Sequence, residues 1–187
     1  HGLWRVFALV TATTFITVAG VSLSVSSARA AAVPGGPGVT WKNIRRGNRI
    51  FLVGIGITLV TWLLIRDEFL LFGVLHRIGP SIALSPLFLR LGKANPFIGV
   101  ALILLAPVID RVPGPMALVW LGIHPADFAS LDYVPLIPWL GVFLVGMSLG
   151  ARLYPLGRRA FSAGTEPPLL RPVTLLGRHS LLIYLVH

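Results

Sequence analysis

The sequence predicts an all-α fold, a polytopic transmembrane helix bundle with about six membrane segments, and three observations predict it. Of 187 residues, 55% are hydrophobic and 12% charged, with a mean hydropathy of +0.84; a soluble domain carries about 25% charged residues. The apolar residues fall in runs long enough, at about 1.5 Å per residue, to cross a hydrocarbon core about 30 Å thick. The cations gather in alternate connections between those runs. There is no cysteine, which excludes disulfides and thiolate metal sites. The absence of an initiator Met and an end at His187 inside an apolar run predict a single membrane domain over 1–187, truncated at both ends.

The first segment is expected over 6–27. Ala28-Arg29-Ala30 mimics a signal-peptidase site, but the apolar stretch exceeds an h-region of about 7–15 residues and a single cation, Arg5, precedes it. Thr13 with Thr17, and Gly20 with Ser24, recur four apart and share helix faces, where small side chains admit a neighbouring helix. An Ala, Pro and Gly-rich loop leads to a basic cluster, Lys42, Arg45, Arg46 and Arg49, placed before a second segment over 50–65. A third follows over 69–91, where Pro80 and Pro86 each remove a backbone donor and predict kinks. A shorter fourth covers 96–109. The apolar stretch 116–123 is too short to span and reads as interfacial or re-entrant. The fifth covers 134–153 and carries Gly146-x-x-x-Gly150, a close-packing motif; the sixth begins near Pro172 or Arg178.

With six alternating crossings, the connections after segments one, three and five share a side. That side holds Arg29, Lys42, Arg45, Arg46, Arg49, Arg90, Lys93, Arg152, Arg158, Arg159, Arg171 and Arg178, twelve of the sixteen cations, while Asp67, Glu68, Asp110, Asp127 and Asp132 fall opposite. Short Lys/Arg-rich loops face the cytoplasm, so the N-terminus is expected outside, in a multi-pass protein of the plasma (cell) membrane. This rule accounts for most of the +10 net charge, and no nucleic-acid partner is needed to explain it.

His76 and Arg77 interrupt an otherwise apolar run. A charged residue inside a span costs roughly 2.5–3.5 kcal/mol on insertion scales, which implies a partner or a task. Two readings stay open. Arg77 snorkels or pairs with an acid such as Asp132, with His76 making a structural hydrogen bond; or the imidazole moves protons while the cation holds an oxyanion or a sugar hydroxyl. His1 stands beside Gly2-Leu3-Trp4 at the outer mouth of segment one. Asp132, Tyr133 and Trp139 either line an outer cleft or anchor the interface. On the inner side Arg178-His179-Ser180 opens a helix whose free N–H groups favour anions, and with Arg45 and Arg46 suits nucleotide phosphates. No metal-ligand spacing, phosphate-binding glycine loop or nucleophile elbow is present.

Taken in order, Thr17-Val-Ala-Gly-Val-Ser-Leu-Ser24, Phe72-Gly-Val-Leu-His-Arg-Ile-Gly79, Leu131-Asp-Tyr-Val-Pro-Leu-Ile-Pro-Trp139 and Leu176-Gly-Arg-His-Ser-Leu-Leu-Ile-Tyr-Leu-Val-His187 resemble the membrane domain of heparan-alpha-glucosaminide N-acetyltransferase and its prokaryotic relatives. The resemblance implies a transmembrane acyltransferase that moves acetyl from acetyl-CoA, its substrate, to an amino sugar or related glycan. It implies catalytic roles for Arg77, His76, His1 and Asp132, with Arg77 ranked above His76, and contacts to the acetyl-CoA phosphates from Arg45, Arg46, Arg178 and His179. The partners expected are the lipid bilayer, acetyl-CoA and the acceptor, with a homo-oligomer left open. Two rivals remain: a transporter whose path His76 and Arg77 line, and a non-catalytic scaffold whose polar residues only join helices.

Overall fold

A computed structural model describes residues 2–34, 38–64, 74–125, 135–158 and 160. Five helices carry the described fold: α1 (Gly2–Ala31), α2 (Val39–Leu64), α3 (Val74–Leu91), α4 (Asn95–Ile109) and α5 (Leu136–Leu153). A 3-10 turn, Gly92–Ala94, joins α3 to α4, and a longer one, Met116–Leu121, follows α4. Among the described residues there is no β-strand.

Neighbouring residues fix the helix directions. Gly146 lies against Thr17 and Gly150 against Val21, so α1 and α5 run parallel. Gly54 faces His76 and Leu75 while Gly47 faces Ala83, so α2 and α3 run antiparallel. Gly99 meets Leu144 and Val145 while Ile103 meets Gly141, so α4 opposes α5. The chain therefore reverses at Gly92, whose φ of +49° lies in the left-handed region that glycine adopts without steric cost. One end of the bundle thus gathers the C-termini of α1, α3 and α5 with the N-termini of α2 and α4. Arg29, Lys42, Arg45, Arg46, Arg49, Arg90, Lys93, Arg152 and Arg158 all lie toward it. The opposite end holds Asp110, the only acid among the described residues.

The distribution of side chains is that of a protein solvated by lipid. Leu9, Val10, Phe15, Val18, Leu52, Leu59, Leu104 and Val108 face outward, while Ser24, Ser27, Asn43, His76, Arg77, Ser81, Ser85 and Asn95 are buried beside a core that includes Ile16, Leu23, Ile82, Phe143, Leu144 and Met147. With no hydrophobic force between helices in a bilayer, close packing and interhelical hydrogen bonds hold the bundle. Both are present. A Cβ on Gly20 would strike the Phe143 carbonyl, and one on Gly146 the Thr17 carbonyl, so α1 and α5 meet backbone to backbone. Between α1, α2 and α3, Asn43 Nδ2 donates to Ser27 Oγ at 2.9 Å and to Ser85 Oγ at 3.2 Å. Ser85 Oγ in turn donates to the Ile82 carbonyl at 2.6 Å, the acceptor that Pro86 deprives of its i+4 N–H.

By length and apolarity, three stretches qualify as membrane spans: Leu9–Ala31, Leu75–Ile109 and Leu136–Leu153. The middle one includes the α3–α4 reversal. The expected sixth segment lies outside the described residues, so the described helices do not establish six crossings. The basic cluster placed ahead of segment two lies inside α2, which begins at Val39. Hydropathy reads only the apolar half of that helix, whereas its hydrogen bonds continue through the cationic turns. α3 is continuous through Pro80 and Pro86.

Gly146→Ala is expected to lower stability by about 1–3 kcal/mol through overpacking against the Thr17 backbone. Gly56→Ala, whose Cβ meets nothing within 4 Å, should be neutral or slightly stabilising. Reversible unfolding in mixed micelles checks the contrast.

Candidate functional site

His76 and Arg77 occupy the first turn of α3, at the bundle end opposite the cation cluster. They are 8% and 4% exposed, so neither side chain snorkels to the surface. What admits the imidazole is Gly54 on α2: a Cβ there would stand 3.1 Å from both Cε1 and Nδ1 of the ring. Phe51, one turn along α2, meets the ring edge-on, with centroids 5.6 Å apart and planes at 83°. Thr58 Oγ1 lies 3.4 Å from Nε2, and the imidazole tautomer decides which group donates. The α2 face therefore orients His76 from three sides.

Arg77 points the other way, toward α5. Its Cζ lies 5.5 Å from the centroid of the Trp139 ring, an attractive arrangement of cation and π face. Its backbone carbonyl accepts from Ser81 Oγ at 2.8 Å. Phe51, His76, Arg77, Pro80, Trp120 and Leu136 line a half-open cavity of about 190 Å³. That is smaller than ligand pockets of about 300–1,000 Å³, and suits one functional group or one edge of a ring. Chemically it offers a buried cation, a group able to carry a proton and largely apolar walls.

The sequence-predicted residues divide into three sets. His76 and Arg77 share this cavity. Arg45 and Arg46 are exposed on α2, about 13 Å along the helix from the level of Gly54, and do not reach it. His1, Asp132, Arg178 and His179 lie outside the described residues. Trp139 joins the site as the partner of Arg77. Sequence reasoning missed Phe51 and Trp120 as cavity walls. Phe51 carried a signal in its place one turn before Gly54, the small residue in that face; Trp120 sits in a stretch too short to span and gave none. His124 ties the connection after α4: its Nε2 stands 3.5 Å from Asp110 Oδ1.

An all-helical membrane protein, with an imidazole and a guanidinium enclosed at one end and its cations gathered at the other, is the class this architecture defines. Over residues 1–187 the chain matches the heparan-alpha-glucosaminide N-acetyltransferase catalytic family, and it belongs to that family. Membership gives a membrane acetyltransferase-like activity as its functional class. No curated protein and no solved structure matches the chain.

The contact between Arg77 and Trp139 is open to a double-mutant cycle with Arg77→Met and Trp139→Leu. A coupling energy of about 0.5–2 kcal/mol is expected from unfolding in micelles.

Proposed function

We propose that the protein transfers acetyl from acetyl-CoA, on the cation-rich side of a cell membrane, to the amine of an amino sugar or related glycan on the other. The observation that carries this reading is the buried His76–Arg77 pair in a chain that matches the acetyltransferase family throughout. Six crossings with the N-terminus outside complete the topology, since short Lys/Arg-rich connections face the cytoplasm.

The chemistry follows from the groups. An acceptor amine attacks the thioester carbonyl only as the free base, so a proton must leave its nitrogen; His76 takes it. The C–N bond forms, negative charge develops on the carbonyl oxygen, and Arg77 stabilises it in a cavity where few waters screen the charge. As the tetrahedral adduct collapses the C–S bond breaks, and the sulfur leaves as thiolate to be protonated. His1 and Asp132 are assigned to the acceptor side, the carboxylate to hold hydroxyl or amine groups. Arg45, Arg46, Arg178 and His179 are assigned to the phosphates of acetyl-CoA. The small cavity supports delivery of the acetyl thioester end alone, with the nucleotide kept toward the cations.

The test is acetyl transfer from labelled acetyl-CoA to amino-sugar acceptors by the full-length protein in proteoliposomes. The wild type should acetylate, and Arg77→Ala should lose about 100-fold or more in kcat/KM, in the range seen when an oxyanion donor is removed. Sugar uptake without acetylation would favour a transporter, and neither activity would leave a scaffold.

A further inference from the structure

The described helices pack in two sets. Gly47 and Gly79 bring α2 and α3 together backbone to backbone, and Gly20, Gly99, Gly141 and Gly146 do the same for α1, α4 and α5. Among the described residues, no glycine makes such a contact between the sets. The seam is instead one of side chains, with Ile78 and Ile82 of α3 sharing a core with Leu140 and Phe143 of α5. Helices that meet through side chains alone can hinge or slide past one another, while the backbone-packed sets move as bodies.

The two ends of the seam are fastened differently. At the cation-rich end the chain crosses it twice, between Ala31 and Val39 and through the Gly92–Ala94 turn. Three hydrogen bonds cross there as well: Asn43 Nδ2 donates to Ser27 Oγ at 2.9 Å, Lys42 Nζ to the Ser26 carbonyl at 3.5 Å and Asn95 Nδ2 to the Phe88 carbonyl at 2.7 Å. At the other end Arg77 lies over Trp139, and the cavity straddles the seam. Phe51, His76, Arg77 and Pro80 come to it from α2 and α3, Trp120 from the turn after α4 and Leu136 from α5. Arg77 stands about 17 Å along α3 from Phe88, so a rotation of about 15° at the fastened end carries it about 4 Å.

We propose that the α2–α3 pair swings as one body against α1, α4 and α5, pivoting at the cation-rich end, and that Arg77 over Trp139 is the latch that closes it. With the latch made, the cavity holds about 190 Å³, less than a ligand pocket of about 300 Å³ or more. With it released, the walls on the two sides of the seam part, and the same cavity admits a whole ring beside His76 and Arg77. A ligand that binds the open form better shifts the population toward it. The motion does not rest on the acetyl-transfer reading, because it is measured without turnover.

The chain has no cysteine of its own, so spin labels on introduced cysteines report chosen pairs. In the full-length protein, freed of any other cysteine and held in nanodiscs, Leu59→Cys/Val108→Cys spans the seam toward the site end. Trp41→Cys/Phe97→Cys spans it near the pivot, and Leu59→Cys/Leu87→Cys stays within the α2–α3 pair; all five positions are exposed. Pulsed dipolar spectroscopy should find two distances for the site-end pair and one for each of the others. Trp139→Leu should raise the ratio of longer to shorter site-end distance about threefold or more, as loss of a cation–π contact implies, and Trp139→Phe should keep it near the wild-type value. A single site-end distance in both wild type and Trp139→Leu overturns the proposal. So does equal spreading of the within-pair distance, the mark of a loosened fold, or of the pivot distance, the mark of separation without a hinge.

Discussion

Water is absent from the hydrocarbon core, so every polar group placed there has to find its partner within the protein. That constraint shapes this bundle more than any apolar contact does. Hydroxyls of Thr14, Thr17, Ser81 and Ser148 bond back to carbonyls of their own helices. The Asn43 amide joins three helices through two serines, and Ser85 serves both that link and the carbonyl stranded by Pro86. Large apolar side chains, which would form the interior of a soluble protein, cover the outside. The interior combines small residues and hydrogen-bonded polar side chains with an apolar core around Leu23, Phe143 and Leu144.

Glycine is the other half of this arrangement. At Gly20, Gly47, Gly79, Gly141 and Gly146 an added Cβ would fall on the backbone of a neighbouring helix. Close approach multiplies dispersion contacts, the principal attraction between helices that lipid tails solvate as well as leucine does. It also sets the site. Because α2 and α3 approach at Gly47 and Gly79, the imidazole of His76 reaches the surface of α2 at Gly54, and Phe51 stands beside it. The cavity is a consequence of how tightly two helices pack one turn away.

Much of this was legible in the sequence, and what was hidden has physical causes. Apolar run length and charge asymmetry predict a membrane bundle because insertion energetics act on single segments, one at a time. Gly146-x-x-x-Gly150 and the Gly20–Ser24 face are likewise local patterns, and the structure brings them together across α1 and α5. The His76–Arg77 pair stood out because it breaks a composition. Asn43 did not, since beside Lys42 and Arg45 a lone amide looks like part of a solvated basic turn. The start of α2 was misplaced for the same reason, hydropathy having no sensitivity to a helix that continues into charged residues. The contact of Trp139 with Arg77 follows from the register of α3 against α5, which no single segment encodes; Asp132 lies outside the described residues.

The two ends of the bundle differ in the way that the proposed transfer across a membrane would require. At one, the cation count is high and the side chains are exposed, a surface that favours multiply charged anions. At the other, a single guanidinium is held against an indole face and shielded from water. A charge so placed acts weakly on distant ions but strongly on charge that develops within a few ångströms, since low local polarity strengthens the interaction. Placing Arg77 among the basic residues of the first end would surround it with water and counterions and remove that advantage. In the proposed acetyl transfer, the separation of many exposed cations from one buried cation would divide the work: the first set would gather a charged ligand, and the second would stabilise charge as a bond is made.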